Sequence, residues 1–439
     1  MSWKLATRIA MAALLGLIVA ASPGAVPPAV TYAPRAGGPI SLAALSPRHP
    51  VSHTSLAVAR LRIVPAPADL APTPPMGWDG YLHFGRQVTA GLVEAQARAL
   101  VASGMRAAGY RYVIVDGGWD LRSRTAGGEL RADPRLFPHG IAPVAAYVHS
   151  LGLRFGLYAS AGTRNCAGTS AGSYGHYAQD AAAFASWGVD FVKLDWCYIP
   201  YRLHPSLSRW QVSRMLAAEF GAALSATRRP MVLEINDTSP RTQRDWTWAT
   251  RLASTWRTTS DIGDRWRSVV AHFTASVGLY RYARPGHWNS PDFLEVGNPG
   301  LSTTEARTQM SLWAEMAAPL IAGNNLAGMS PTTRSILTNR AVIGVDQDPL
   351  GQAGRPILHH AGLWVLSRPL LGGDRAVVLF NQGSEPVTIT TTARAVGLAA
   401  SPSYVTVNLW TGAVRRISGP IRARLPAHAV VMFRVGLGG

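Results

Sequence analysis

GLRFGLYASAG (residues 152–162), HYAQDAAAFASWG (176–188) and VDFVKLDWC (189–197) follow one another along the chain. The first is a short β-rich run, the second an amphipathic helical stretch closed by Gly188, and the third another β-rich run. A strand, a helix and a strand in this order make a parallel pair joined by a crossover. In the third run Lys193 and Asp195 are two residues apart, so both side chains point to the same side of their strand.

The rhythm extends both ways. Upstream come PMGWDGY, TAGLVEAQARALVASGM, YRYVIVDGGW and IAPVAAYVHSLG; downstream come a helix around Trp210 to Thr227, PMVLEIND, STWRTTSDI, a helix near Trp266 to Tyr280, GHWNSPDFLEV, a helix from Glu305, and PLIAGNNL. Gly109, Gly152 and Gly188 close helices just before strands, and Ser302 with Glu305 has capping-box spacing. Eight strands alternating with helices over residues 72–351 predict an α/β fold, a (β/α)8 TIM barrel. No glycine-rich phosphate fingerprint follows the first strand, which disfavours an open nucleotide-binding sheet. Past Gly351 the helical period gives way to period-two runs, LWVLSRPL, RAVVLFNQ, VTITTTA, YVTVNLW and HAVVMFRV. Residues 352–439 therefore read as a small antiparallel β-sandwich with a structural or docking role.

The N-terminal residues 1–25 read as a signal peptide, with Lys4 and Arg8 before a short apolar core and small residues after it. That core is too short to predict stable membrane insertion. Residues 26–71, rich in Pro and Ala, read as a leader or linker. The expected location is outside the cell. Composition excludes disorder: 47% of the 439 residues are hydrophobic and only 15% charged. The formal charge of +18 comes from 40 arginines and two lysines scattered without a basic stripe, so nucleic acid is not an expected partner.

In such a barrel, chemistry belongs at the C-terminal ends of the strands. Asp116, Tyr158, Lys193 with Asp195, Asp237, Arg257 with Asp261, and Asp292 fall there. Lys193 is the only lysine after the signal peptide in a chain that otherwise uses arginine, which singles out a compact ammonium. Cys166 and Cys197 lie on the same rim, and an even pair in an exported protein favours a disulfide. Two cysteines cannot close a zinc site and no HExxH accompanies them, so neither a metal nor a cofactor is expected. Trp78, Tyr81, Trp119, Tyr158, Trp196 and Trp288 are near the acids, and an acid-lined mouth with aromatic faces suits a sugar. Two carboxyls flanking a glycosidic oxygen would supply a nucleophile and an acid/base.

These residues resemble glycoside hydrolase family 27, the α-galactosidase and α-N-acetylgalactosaminidase group. The matching stretches are TPPMGWDGY (73–81), YVIVDGGW (112–119), GLRFGLYASAGTRNCAG (152–168), KLDWC (193–197), WRTTSDIGDRW (256–266), GHWNSPDFLEVGNPG (286–300) and GVDQDPLG (344–351). The resemblance implies Asp195 as nucleophile, Asp261 as acid/base and Cys166–Cys197 as the active-site disulfide. It also implies substrate contacts from Tyr81, Asp116, Tyr158, Lys193 and Arg257, with Asp237 as the fifth-strand acid. Departures are Gly117 where the family commonly has a second acid, Tyr81 for a stacking Trp, Trp196 for a smaller residue, and Ser290 for Asp. The expected activity is a retaining exo-α-galactosidase acting on an oligosaccharide or polysaccharide. Alternatives are the same mechanism on a β-L-arabinopyranoside or α-N-acetylgalactosaminide, or a barrel that binds sugar without cleaving it.

Overall fold

The computed structural model describes residues 66–67, 69–237 and 244–438. The expected signal peptide and most of the expected leader lie outside the described residues. Eight strands form one parallel sheet: β1 (Met76–Asp79), β2 (Tyr112–Val115), β3 (Arg154–Ser160), β4 (Phe191–Asp195), β5 (Val232–Asn236), β6 (Thr255–Arg257), β7 (Trp288–Ser290) and β8 (Leu320–Ala322). Their order is β7-β6-β5-β4-β3-β2-β1-β8. The circle closes beyond the end of β7, where Leu294 N–H donates to Ile321 O (2.7 Å) and Gly323 N–H donates to Leu294 O (2.9 Å).

Strand parity decides what fills the barrel. Tyr112, Ile114, Phe191, Val232, Phe293 and Ile321 form one buried cluster within it. Two glycines make this packing possible: a Cβ on Gly77 would lie 2.5 Å from Tyr112 O, and one on Gly156 would lie 2.7 Å from Ile114 Cγ1. The opposite strand faces pack against helices Ala90–Ala102, Ala142–Ser150, Tyr177–Trp187, Arg209–Ala226, Trp266–Ser276 and Thr303–Glu315. The expected capping box is present, with Ser302 Oγ accepting from Glu305 N–H and the Glu305 carboxylate accepting from Ser302 N–H. Buried residues occur all round this helix because it is wedged between the barrel and the C-terminal domain.

The C-terminal domain has eight strands: β9 (Arg355–His360), β10 (Leu363–Pro369), β11 (Arg375–Asn381), β12 (Val387–Thr391), β13 (Tyr404–Asn408), β14 (Val414–Ile417), β15 (Ile421–Leu425) and β16 (Val430–Leu437). Six form an antiparallel sheet in the order β14-β13-β16-β11-β10-β9, and β12 pairs with β15. One face of the larger sheet, with Val365, Val377, Leu379 and Val435, packs with Ile389, Ile421 and Leu425 of the smaller one. The other, with Trp364, Leu366, Phe380 and Met432, joins the barrel's own core. At this junction Arg368 is fully buried beside Glu315 and Asp346, donating to Ala314 O (2.6 Å) and Asp346 O (3.1 Å).

The chain enters the barrel through Ala71, which is buried with Ala283, Trp288, Ala317 and Ala353. Its carbonyl accepts from Trp288 Nε1 (2.8 Å) and from Gly286 N–H (2.9 Å). Among the described residues, no helix is long and apolar enough to cross a membrane.

Candidate active site

Parallel pairing sets the site's floor. Tyr158 on β3 is level with Lys193 on β4, which is level with Glu234 on β5; one step up, Asp195 is level with Asn236. With side chains alternating at period two, Lys193, Asp195, Glu234 and Asn236 all turn inward. Lys193, Asp195 and Asn236 open into a cavity of about 330 Å³, with Glu234 buried beneath it. Asp116, Tyr158, Lys193, Asp195, Arg257, Asp261 and Tyr81 all line it, as do Cys166 and Asp292.

Asp237 does not. It follows Asn236, so alternation turns it out of the barrel, where it is buried near the Asp245 carboxyl. The inward position at the end of β5 belongs to Asn236, whose Nδ2 donates to Asp195 Oδ1 and whose Oδ1 accepts from Arg257 Nη1 at 2.7 Å. The parity that identified Lys193 and Asp195 also excludes Asp237 and selects Asn236.

The aromatic expectation also needs correction. Of the six rings, Tyr81 and Tyr158 line the cavity. All four indoles are buried, Trp78, Trp119 and Trp196 in the surrounding shell and Trp288 beside Ala71, and each N–H has a partner: Trp78 to Asn324 O, Trp119 to Tyr158 O, Trp196 to Ser213 Oγ and Trp288 to Ala71 O. An indole offers one donor, and these four are satisfied by structure rather than by ligand. The apolar side of the cavity comes instead from Phe293, Leu82 and Ile262, and Arg86 and Asn165 also line it. Phe293 belongs to the quoted GHWNSPDFLEVGNPG motif; Arg86 carried no signal beyond being one arginine among many.

Cys166 and Cys197 form a disulfide, tying the loop after β3 to the end of β4. Cys166 Sγ lies 3.1 Å from Asp195 Oδ2, and Cys166 N–H donates to the Tyr158 hydroxyl at 3.3 Å. The bridge thereby holds the rim against the acid at its floor.

Acids outnumber cations around the cavity, and position determines how each titrates. Lys193 Nζ is 2.5 Å from Asp116 Oδ2 and 4.6 Å from the centre of the Phe293 ring. Burial would depress this ammonium, but Asp116, Asp79, Asp195 and Asp292 outweigh burial and keep it charged. Asp79 is inward-facing on β1 and fully buried; burial, then the Asp116 charge, pushes its carboxyl well above the ordinary range. Burial likewise raises Glu234 to about 7 and Asp195 to about 7, with Lys193 working downward on both.

Asp261 behaves oppositely. Its side chain is 75% exposed at the rim, 3.1 Å from Arg257 Nη2. What burial it has pushes the carboxyl upward, but Arg257 and then Lys193 hold it below its ordinary value of 3.8. Arg257 is itself fixed by Asp292, 2.9 Å away, and Asp292 Oδ2 also accepts from Ile262 N–H at 2.7 Å. Asp292 adopts a left-handed backbone (φ 79°), where a non-glycine residue is strained, at the turn that orients these contacts. One buried carboxyl raised by its surroundings and one exposed carboxyl held below its ordinary value therefore share one cavity with Lys193, Arg257 and Arg86.

Both domains have counterparts among known proteins. The family model described as Alpha galactosidase A matches residues 73–348, and that described as Alpha galactosidase C-terminal beta sandwich domain matches residues 360–435. A probable alpha-galactosidase of Dictyostelium discoideum is 39% identical over 78% of this chain and 86% of its own length. An alpha-galactosidase of Cyamopsis tetragonoloba is 36% identical over 83% of this chain and 86% of its own. The crystal structure of alpha-galactosidase I from Mortierella vinacea superposes with a TM-score of 0.79 at 30% identity, covering 85% of this chain and 99% of that one. With barrel and sandwich both matched in order, the chain belongs to the α-galactosidase family of glycoside hydrolases.

Proposed function

We propose that the protein is an exported exo-α-galactosidase that cleaves terminal galactosyl residues with retention of configuration, using Asp195 as nucleophile and Asp261 as acid/base. The observation that carries this reading is that both carboxyls line one small cavity, Asp195 at its floor and Asp261 at its rim. A cavity of about 330 Å³ is at the small end of ligand sites, which favours one terminal sugar over a chain threaded through a cleft. Asp195 attacks the anomeric carbon while Asp261 protonates the departing oxygen; Asp261 then takes a proton from the water that releases the sugar.

In the empty cavity the proton favours Asp195, whereas the first step needs it on Asp261. Substrate binding supplies the reversal. A pyranose brings hydroxyl donors toward Asp195, strengthening its anionic form beside Asn236 Nδ2 and Lys193. A leaving group seated over Asp261 shields it from water and weakens its pairing with Arg257, favouring its neutral form. Lys193 and Asp116 present a donor and an acceptor to sugar hydroxyls, and Tyr81 offers its ring at the mouth.

Export is supported by the charged and apolar N-terminal pattern and by the disulfide, since such bridges persist in oxidising surroundings. A panel of nitrophenyl glycosides, with proton NMR of the first-released anomer, tests the activity. Hydrolysis of the α-galactoside with initial release of the α-anomer is expected. Initial release of the β-anomer would overturn the double displacement, and preference for the β-L-arabinopyranoside would overturn the sugar assignment. N-terminal sequencing of protein recovered from the medium tests export.

A further inference from the structure

The C-terminal domain holds a second concavity, about 1100 Å³, between edge strand β14 of the larger sheet and β15 of the smaller one. Arg415, Arg416, Arg422 and Arg424 line it, interspersed with Thr388, Thr406, Asn408, Thr411 and Ser418, and no acid is among its lining residues. All four arginines are exposed. Arg416 donates to Ser403 Oγ, whereas Arg415, Arg422 and Arg424 have no acid within ion-pair distance among the described residues. The domain as a whole is depleted of acids: residues 352–439 contain nine arginines but only Asp374 and Glu385, and Asp374 is paired with Arg434. The barrel, residues 72–351, carries 27 cations against 21 acids. A chain-wide preference for arginine over lysine explains the residue type but not this local loss of acids.

Edge strands commonly carry charge to block pairing with other chains, which accounts for Arg415 and Arg416 on β14. The same reasoning reaches Arg422 and Arg424, since β15 is an edge of the two-stranded sheet in which they lie across from Thr390 and Thr388. It does not account for the hydroxyl and amide groups set between guanidinium groups within one groove. Guanidinium forks match carboxylate and sulfate oxygens two at a time, and hydroxyls and amides between them suit sugar hydroxyls. The groove's one aromatic ring, Phe433, is half-buried, so stacked bases find no platform.

The geometry points to this groove as a binding site for an acidic polysaccharide, a chain bearing carboxylate or sulfate groups on its sugars, remote from the barrel mouth in sequence and separate from its catalytic groups. It holds the enzyme on an anionic glycan while the barrel works on terminal sugars. The assignment does not depend on which sugar the barrel cleaves.

Retention of the full protein on immobilised polygalacturonate (carboxylate) and chondroitin sulfate (sulfate) tests it, with neutral dextran as control and duplex DNA as competing polyanion. Retention on at least one acidic glycan at physiological salt, but not on dextran, is expected, and the two columns identify the anionic group. The triple variant R415A/R422A/R424A should bind about tenfold more weakly or worse, with unchanged nitrophenyl glycoside hydrolysis. A triple lysine variant keeps the charge and should still bind several-fold more weakly, because an ammonium lacks the fork; it decides the matter if the alanine variant is poorly folded. Undiminished binding by the lysine variant overturns the assignment in favour of unspecific charge attraction. Tighter binding to DNA than to either glycan overturns it in favour of a nucleic-acid surface, and no binding to either glycan overturns it outright.

Discussion

Two arginines are buried to nearly the same depth and surrounded by acids, yet they do different work. Arg257, at the barrel mouth, contacts Asp261, Asp292 and Asn236; Arg368, at the junction of the domains, lies beside Glu315 and Asp346. Around Arg257 one acid reaches the rim and remains ionised. Around Arg368 both acids are sealed: burial raises Glu315 to about 8 and Asp346 well above its ordinary value, and backbone carbonyls accept the guanidinium's hydrogen bonds. Similar ingredients give an accessible, acid-lined site where one carboxylate meets an open cavity, and a fixed joint where none does.

The largest expected effect lies at the reactive site. Asp195→Asn should lower kcat by at least about a thousandfold while leaving the unfolding transition in place. Wild-type kcat/KM with an intact fold would remove Asp195 from the chemistry. Asp261→Asn should cost about 10²–10⁴-fold with substrates whose leaving group needs a proton, and far less with an activated aryl leaving group.

The same pair predicts a pH profile. With Asp195 near 7 and Asp261 below 3.8, the reactive form of the pair holds one proton. As pH rises through about 7 that proton is lost and no acid remains; as pH falls through the Asp261 value a second proton is gained and no nucleophile remains. A bell in kcat/KM follows. Asp261→Asn, assayed with an activated aryl substrate, should convert it into a single rise through the Asp195 value with no decline above. A persisting alkaline decline in that variant would show that another group sets the limb.

At the joint, Arg368→Ala should destabilise the protein by about 3–5 kcal/mol in denaturant titration, because it leaves an incompletely filled polar site. Replacing Arg368, Glu315 and Asp346 together with apolar residues should recover most of that loss. If the triple variant is no better than the single one, the arginine's backbone contacts, not the charge balance, hold the joint. Glu315 sharpens this through its sign: a carboxyl raised from 4.5 to about 8 binds its proton more tightly in the folded state. Its stabilising contribution is complete below pH 4.5 and declines as pH rises toward 8. Glu315→Gln should therefore flatten the fall in Tm between those limits.

The smallest expected effect concerns Gly117. A Cβ there would lie 3.3 Å from Tyr158 Cζ, close enough that the ring must yield slightly. Gly117→Asp restores the family's second acid and should shift kcat/KM toward the galactoside over the arabinopyranoside by about tenfold. An unchanged ratio would mean the missing acid is compensated elsewhere.

The barrel was legible because parallel strands, buried on both faces, leave dense apolar runs ended by acids, and because glycines punctuate the helices. Five sandwich strands were legible from alternation at period two. Strands β9 and β14 were not, since RPILHH and VRRI are largely exposed and carry no clear apolar face, and β15 was not because IRARL buries only Ile421 and Leu425, which flank two exposed arginines. In the site, Lys193, Asp195 and Asp261 were readable because position and residue type agreed. Asp237 misled because an acid at a strand end drew more weight than its parity. Indoles misled for a related reason: near the mouth in sequence, three of them face the helical shell and Trp288 packs beside Ala71, and their N–H groups meet carbonyls and a hydroxyl.

The pinned carbonyl of Ala71 fixes the approach to the first barrel strand. Its two hydrogen bonds and its place among Ala283, Ala317 and Ala353 shield that peptide group from proteolytic attack. Limited endoproteolysis should therefore leave the peptide bond after Ala71 uncut for as long as the barrel stays folded.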